Sequence, residues 1–166
     1  MAHILYIDDD EGIRRLVSRN LEREGFKVSL AASGAEGVTM TREGRFDLIA
    51  VDHYMPGRDG LSTLDALRSV AGCPPIVYVT GSEESRVAVA ALKAGADDYV
   101  VKSVGSDFFD LLASTFGQVL ERASLRRDEQ LRELHLPQRD PRFVAREGEH
   151  VVLLPDERVH LLRVFA

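Results

Sequence analysis

Five short apolar runs alternate along the chain with five segments of helical character. The apolar runs lie at residues 3–7, 26–31, 46–51, 76–79 and 97–101. A helical segment follows each of them, at residues 11–24, 33–44, 61–70, 82 or 83 to 95, and 106–120. Short runs that are apolar throughout are typical of parallel strands that helices cover on both faces. Since strands joined by helices make right-handed crossovers, the pattern predicts an α/β fold with a doubly wound, five-stranded parallel sheet.

Charged and hydroxyl side chains stand where four of these apolar runs end. Asp8 and Asp9 follow the first run, Asp52 the third, Thr80 the fourth and Lys102 the fifth. The carboxyl ends of parallel strands share one edge of the sheet, and open α/β proteins bind their ligands at that edge. We therefore expect these five side chains to converge into one site, although they are far apart in the sequence.

The acidic members of this group require a cation or altered protonation, because like charges packed together cannot all stay ionised at low cost. Mg²⁺ prefers oxygen ligands, so Asp8, Asp9 and Asp52 are candidate ligands. The second oxygen of Asp52 could then attack a phosphoryl group. Lys102 and Mg²⁺ would neutralise the phosphoryl oxygens, and Thr80 would donate a hydrogen bond to one of them. An alternative stays open: one acid among residues 8–10 only caps the helix that begins near residue 11.

The composition argues against several other classes of protein. With 45% apolar and 29% charged residues, the chain is typical of a globular domain. Its net charge is −6, with all the excess acid before residue 126, so we expect no direct nucleic-acid partner. No apolar run is long enough to cross a bilayer, so we expect a cytoplasmic location and no membrane partner. The single cysteine, Cys73, allows neither an internal disulfide nor a thiolate metal site.

Several groups of residues together resemble the receiver domain of two-component response regulators, over about residues 2–120. The groups are Ile7-Asp8-Asp9, Val51-Asp52 with Met55-Pro56-Gly57 and Asp59-Gly60, Val79-Thr80-Gly81, and Gly95-Ala96-Asp97-Asp98-Tyr99 before Lys102. In combination these motifs are highly specific. The resemblance implies a flavodoxin-like sheet in the order 2-1-3-4-5. It also implies a receiver domain at residues 1–122, which leaves a short C-terminal extension at residues 123–166.

The resemblance implies a role for each site residue. Asp52 would accept a phosphoryl group from a histidine kinase or a phosphotransfer protein, by self-catalysed transfer, and would later lose it by autodephosphorylation. Phosphorylation would draw the Thr80 hydroxyl inward and let Tyr99 turn, which changes the surface offered to a downstream protein partner. Lys102 would contact the phosphoryl oxygens. The ligands of Mg²⁺, or of Mn²⁺ in its place, would be Asp8, Asp9, Asp52 and the backbone carbonyl oxygen of Tyr54.

One departure from the family is Ser103, because a proline usually follows the lysine at this position. In the family that proline takes part in a cis peptide bond, which helps to aim the ammonium group. A cis bond before a serine would cost about 2.5–4 kcal/mol, against about 0.5–1 kcal/mol before a proline. We therefore expect a trans bond or a remodelled loop after Lys102.

Two alternative functions stay open at the level of the sequence. One is a phosphatase of the haloacid-dehalogenase type, with Asp8 as the nucleophile and Asp10 as the acid, although Glu11-Gly12 does not continue that motif. The other is a receiver-like interaction module that no longer takes phosphate. Labelling with acetyl phosphate would separate the first alternative from the receiver, because the labelled residue would be Asp8 rather than Asp52.

The segment after residue 120 carries weaker signals. Residues 121–136 keep enough apolar positions to continue the last helix as a signalling or dimerising extension, which allows a homodimer. Pro137 and Pro141 end that pattern, and the apolar runs at 151–154 and 159–165 are compatible with a strand pair or with a strand and a helix. No output module is recognisable, so both a single-domain regulator and the leading part of a longer protein agree with this chain.

Overall fold

The structure is a computed structural model, and it describes residues 1–57, 59–81, 85–103, 105 and 107–135. The apolar runs predicted after residue 150 lie outside the described residues. Strands and helices alternate in the described part, in the order β1 His3–Ile7, α1 Glu11–Arg23, β2 Lys27–Ala31, α2 Gly34–Glu43, β3 Leu48–Asp52, α3 Gly60–Arg68, β4 Ile76–Gly81, α4 Ser85–Lys93, β5 Asp98–Lys102 and α5 Asp107–His135.

The strands form one parallel sheet in the order β2-β1-β3-β4-β5. The chain thus moves outward in one direction from β1 to β2, returns past β1 to β3, and then continues to the opposite edge. This is the doubly wound arrangement that the sequence pattern predicts, in the flavodoxin-like order that the family resemblance implies. Its reversal of direction between β1 and β3 opens a crevice at the carboxyl edge, directly beside Asp8 and Asp52.

Both faces of the sheet are buried, which explains why its strands are apolar without a polar face. In β1, Ile4 and Tyr6 belong to one core cluster, which includes residues of α1 and α5. Leu5 and Ile7 belong to the second cluster, which includes residues of α2, α3 and α4. All four side chains are 0% exposed, and full burial of an aliphatic side chain stabilises the fold by roughly 1.5–3 kcal/mol. The site therefore rests on strands that are packed from both sides.

The acid that caps α1 is Asp10. Its side chain accepts a hydrogen bond from the backbone N–H of Ile13 at 2.9 Å, which satisfies one of the unpaired donors at the helix start. Asp8 instead directs its carboxylate into the interior at the end of β1, where it is 0% exposed. Asp10 is therefore the capping residue of α1, and the carboxylates of Asp8 and Asp9 can contribute to a functional site.

Helix α3 begins in direct contact with the end of β3. The N–H of Gly60 donates to the carbonyl oxygen of His53 at 2.9 Å. A Cβ atom at position 60 would lie 2.5 Å from the carbonyl oxygen of Asp52 and 2.7 Å from the Cα atom of His53. Because both neighbours are backbone atoms, only glycine fits here, and the start of α3 packs against the peptide that carries Asp52.

β4 and β5 include the polar residues that follow their apolar runs. β4 and β5 pair as far as Gly81 and Lys102, so Thr80 and Lys102 lie within the ladder rather than after it. Helix α5 continues to His135, as an extension of the last helix requires.

Contacts between residues divide the chain into Met1–Asp128 and Glu129–Ala166, and the domain boundary after residue 122 stays a prediction. Among the described helices, none has both the length and the apolar character that crossing a membrane requires.

Candidate functional site

Strand geometry brings three charged residues to the same side of the carboxyl edge. Asp8 follows β1, Asp52 ends β3 and Lys102 ends β5. Side chains two positions apart on a strand point to the same face of the sheet. Each of the three stands two positions after a residue of the core cluster that α1 and α5 cover, namely Tyr6, Ala50 and Val100. All three are therefore directed to that face.

Lys102 bridges the two buried carboxylates. Its Nζ atom donates to Oδ2 of Asp8 at 2.8 Å and lies 2.8 Å from Oδ1 of Asp52. Burial alone would lower the pKa of Lys102, but hydrogen bonds and attraction to Asp52 and Asp8 outweigh it and raise the pKa above its usual value. The peptide bond from Lys102 to Ser103 is trans, as expected, and no cis bond occurs in the described part of the chain.

Asp8 is held by two further donors. The hydroxyl of Tyr6 donates to Oδ2 at 3.2 Å, and the backbone N–H of Asp10 donates to Oδ1 at 2.9 Å. Burial, reinforced by the negative charges of Asp8 and Asp52, raises the pKa of Tyr6 well above its ordinary value. Tyr6 therefore stays a neutral hydrogen-bond donor, and the Asp8 carboxylate keeps a fixed orientation.

The carboxyl group of Asp52 is the strongly perturbed acid of the site. Burial raises its pKa to about 6, with a further contribution from the charge of Asp8, while the hydrogen bond and the charge of Lys102 act in the opposite direction. The side chain is 3% exposed. One ammonium group thus only partly compensates two buried carboxylates, and the remaining negative charge favours an additional cation.

Asp8, Asp9 and Asp52 could hold that cation. One carboxylate oxygen from each lies within 4.8 Å of the others, and Asp9 is the exposed member at the mouth of the site. Oxygens bound to one Mg²⁺ are at most about 4.2 Å apart, twice its bond length of about 2.1 Å. The carboxylates therefore fit a hard divalent cation after small side-chain rotations or through a bridging water. The carbonyl ligand assigned to Tyr54 stays a prediction.

The loop after Asp52 is tied to β4 by an aromatic pair. Nδ1 of His53 lies 2.8 Å from the hydroxyl of Tyr78, and the backbone N–H of His53 donates to the carbonyl oxygen of Val79 at 2.9 Å. Tyr78 is fully buried, whereas Tyr54 is 60% exposed. This pair links the residue after Asp52 to the strand that carries Thr80.

Thr80 and Tyr99 lie on β4 and β5. Thr80 is 1% exposed and follows Val79, which pairs with Asp52 across the sheet. Tyr99 is 40% exposed and pairs with Tyr78. Alternation along the strands directs Thr80 and Tyr99 to the face that α4 covers. The structure thus brings Asp8, Asp9, Asp52 and Lys102 together, and Thr80 is buried next to the strand that carries Asp52.

Sequence reasoning did not identify two contributors to the site. Arg14, in the first turn of α1, donates from Nη1 to the carbonyl oxygens of Asp8 and Asp9. The basic residue soon after an acidic run is a local signal that could have indicated this contact. The pairing of His53 with Tyr78 had no such signal, because the two residues are far apart in the sequence and neither belongs to a motif.

Comparison with known proteins identifies the family. The model of the response regulator receiver domain matches residues 4–113. The transcriptional regulatory protein AfsQ1 of Streptomyces coelicolor is 39% identical over 110 residues, which cover 66% of this chain and 48% of AfsQ1. The DNA-binding response regulator MtrA of Mycobacterium leprae is 34% identical over 160 residues, which cover 93% of this chain and 67% of MtrA. The match to AfsQ1 spans about half the length of that relative.

Solved structures agree with the sequence relatives. The response regulator protein TrrA of Thermotoga maritima, solved in complex with Mg²⁺ and BeF, superposes with a TM-score of 0.63 at 32% identity and covers 72% of this chain and 99% of TrrA. These matches confirm the resemblance that the motifs indicate, and they do not favour the dehalogenase-type phosphatase. This chain belongs to the receiver-domain family of two-component response regulators.

Proposed function

We propose that Asp52 is the phosphoacceptor of this receiver domain and that its phosphorylation relays a two-component signal. The observation that carries the proposal is the ammonium group of Lys102, 2.8 Å from a carboxylate oxygen of Asp8 and of Asp52. Phosphoryl transfer depends mainly on positioning and on neutralising charge. A carboxylate nucleophile with an ammonium group on one side and a cluster of acids for a cation on the other meets both requirements.

The donor would be a phosphohistidine of a kinase or a phosphotransfer protein. An oxygen of Asp52 attacks the phosphorus atom, the N–P bond breaks as the O–P bond forms, and the electron pair returns to the imidazole nitrogen of the donor. Asp52 must be ionised to attack, and a pKa of about 6 leaves it mostly ionised at pH 7 and above. Lys102 can then transfer a hydrogen bond from the carboxylate to a phosphoryl oxygen.

Mg²⁺ is the cation that the proposal assigns to the site, and Mn²⁺ shares its preference for oxygen ligands. Its ligands would be Asp8, Asp9, Asp52 and the backbone carbonyl of Tyr54. When bound, the cation supplies positive charge to the phosphoryl oxygens. Asp8, fixed by Tyr6 and Lys102, would keep its orientation throughout, whereas the exposed Asp9 would adjust to the cation.

The output would pass through Thr80 and Tyr99. A phosphoryl group on Asp52 adds strong acceptors beside the strand that carries Thr80, and we propose that the Thr80 hydroxyl moves toward them. Tyr99, 40% exposed on the adjoining strand, would then change orientation and alter the surface offered to a downstream protein. In a receiver that never takes phosphate, the surface near Tyr99 would not depend on phosphorylation.

We also propose a connecting role for the extension at residues 123–166. The aligned region of MtrA covers 93% of this chain, so similarity continues beyond the receiver match at residues 4–113.

AfsQ1 and MtrA are named as transcriptional and DNA-binding regulators, which favours an output in transcription. Transcript profiling of a strain carrying Asp52→Asn tests this, and an unchanged set of transcripts under inducing conditions contradicts it. A homodimer and a cytoplasmic location stay predictions.

The phosphoacceptor is tested by chemical mapping. The protein is incubated with acetyl phosphate and MgCl₂, treated with borohydride to convert any acyl phosphate to homoserine, and digested for mass spectrometry. We expect homoserine at position 52, and homoserine at position 8 would contradict the proposal. Asp65→Asn, which alters an exposed acid of α3, should label like the wild type, whereas Asp52→Asn should not label.

A further inference from the structure

Arg14 reaches back from the first turn of α1 to the backbone of the two acids that follow β1. Its Nη1 atom donates to the carbonyl oxygen of Asp8 at 2.8 Å and to that of Asp9 at 2.9 Å. The side chain is partly buried, and its own N–H donates to the carbonyl oxygen of Asp10 at 2.9 Å. One residue thus contacts three successive carbonyl groups of the turn between β1 and α1.

The carboxylates of Asp8 and Asp9 project from the turn whose backbone Arg14 contacts. The side chain of Asp8 is held by Lys102, Tyr6 and the N–H of Asp10. Asp9 is exposed, so packing does little to direct its carboxylate. The direction of a side chain depends on the backbone dihedral angles of its own residue. The two peptide planes that flank Asp9 carry the carbonyl oxygens of Asp8 and Asp9, which Arg14 binds.

We propose that Arg14 is a positioning residue for the metal site, because its hydrogen bonds to the Asp8 and Asp9 carbonyl oxygens orient the turn from which both carboxylates project. The proposal rests on the proposed function, since it concerns the same cation site. Groups that orient metal ligands typically change metal affinity by 10- to 100-fold when they are removed. We therefore expect Arg14→Ala to bind Mg²⁺ about tenfold more weakly than the wild type.

The charge of Arg14 predicts the opposite result. A guanidinium group near a cation site repels the cation, so its removal would strengthen Mg²⁺ binding if charge were its only effect. The direction of the change therefore separates orientation from charge. Arg15 is a matched control, because it carries the same charge one position further along, is 74% exposed and pairs with Glu11.

The experiment is a titration of the full chain with MgCl₂, followed by NMR of the backbone amides. We expect about a tenfold weaker affinity for Arg14→Ala and a change of less than about twofold for Arg15→Ala. Hydrogen exchange without metal gives a second measurement, and peptides that cover residues 8–11 should exchange faster in Arg14→Ala alone. Unchanged or tighter Mg²⁺ binding by Arg14→Ala overturns the proposal.

Arg14→Lys is a second variant that can test the proposal if Arg14→Ala does not fold. This variant preserves the charge but shortens the side chain and removes the planar guanidinium group. Weaker Mg²⁺ binding supports orientation by Arg14, and wild-type affinity overturns it. A wild-type protein that binds no Mg²⁺ at all would instead contradict the proposed function, so the two failures are distinguishable.

Discussion

Lys102 explains how two carboxylates can be buried side by side in a stable fold. Asp8 and Asp52 have side chains only 1% and 3% exposed, and each lies 2.8 Å from the same ammonium group. Burial of an unpaired charge is costly, whereas a hydrogen-bonded pair compensates much of that cost. The ammonium group is therefore part of the fold as well as of the proposed chemistry.

Replacement of Lys102 by glutamine should destabilise the metal-free protein. The change leaves two buried carboxylates without their cation, and we expect a loss of about 2–4 kcal/mol in the free energy of unfolding at pH 7.5. Urea denaturation measures it. Lys93→Gln, at an exposed position near the end of α4, is the control and should cost less than about 0.5 kcal/mol. Equal stability of the two variants would contradict the bridging role.

The raised pKa of Asp52 predicts that its ionisation opposes folding. The folded state binds a proton with a pKa of about 6 and the unfolded state with the ordinary value of 3.8, so the contribution of Asp52 to stability falls as the pH rises through about 6. Without divalent metal, Asp52→Asn should be about 2–3 kcal/mol more stable than the wild type at pH 7.5. Near pH 4 the two proteins should have nearly the same free energy of unfolding. Urea denaturation at each pH measures this difference. A difference that is independent of pH would contradict the assignment.

Sequence patterns indicated the charged residues that follow the apolar runs but not the contacts around them. Asp8, Asp52 and Lys102 stand out because a charge directly after an apolar run has a local signature. Arg14 has the appearance of an ordinary helix-surface arginine, and its contact with the Asp8 carbonyl depends on how α1 turns back from β1. The composition of a short segment does not determine the angle between β1 and α1.

At the scale of the element, the start of α3 determines the backbone around Asp52. The closest neighbours of a Cβ atom at position 60 include two backbone atoms of β3 and its following loop, which cannot move independently. This packing constrains the peptide of Asp52 at the point where β3 ends. The start of α3 therefore helps to keep Asp52 in a constant position.

Gly60→Ala should accordingly destabilise the protein, by about 2–4 kcal/mol, because the new methyl group would overlap backbone atoms. Thermal or urea denaturation measures the change. Gly117→Ala is the matched control in α5, where nothing lies within 4 Å of the added Cβ atom. It should stabilise the protein by up to about 1 kcal/mol through helix propensity. A loss at position 117 as large as that at position 60 would contradict the packing argument.

The order and type of the elements follow from the sequence, but their ends do not. The alternation of apolar runs and helical segments predicts all ten elements in the described part, and each one is present. The sequence pattern starts β2 and β3 at residues 26 and 46, whereas in the structure they begin at Lys27 and Leu48. A strand ends where its partner stops pairing, which is a property of two segments rather than of one.

For the whole described molecule, the acidic cluster of Asp8, Asp9 and Asp52 is separate from the two hydrophobic cores. The cores hold the sheet from both faces, and the carboxylates project beyond it at one edge. A ligand that binds only the folded state stabilises it by mass action, with about 2.7 kcal/mol at a concentration of 100 times the dissociation constant.

Mg²⁺ should therefore raise the melting temperature of the wild type, and Asp9→Asn should abolish most of that increase. Asp9 is exposed, so the melting temperature without metal should change little in this variant. Differential scanning calorimetry with and without MgCl₂ measures both quantities. Glu11→Gln, at the next acidic position after the Asp10 cap, should keep the full response to Mg²⁺. Loss of the response in Glu11→Gln as well would indicate nonspecific screening.

Buried parallel strands and the acids and lysine at their ends leave local patterns, so the fold class and these residues could be predicted from the sequence, and the family motifs implied the strand order. The folded chain was needed to show that Asp10 caps α1 while Asp8 meets Lys102, that Arg14 contacts the backbone of Asp8 and Asp9, and that His53 pairs with Tyr78. Those contacts join segments that meet only after the sheet has formed, so no stretch of sequence contains them.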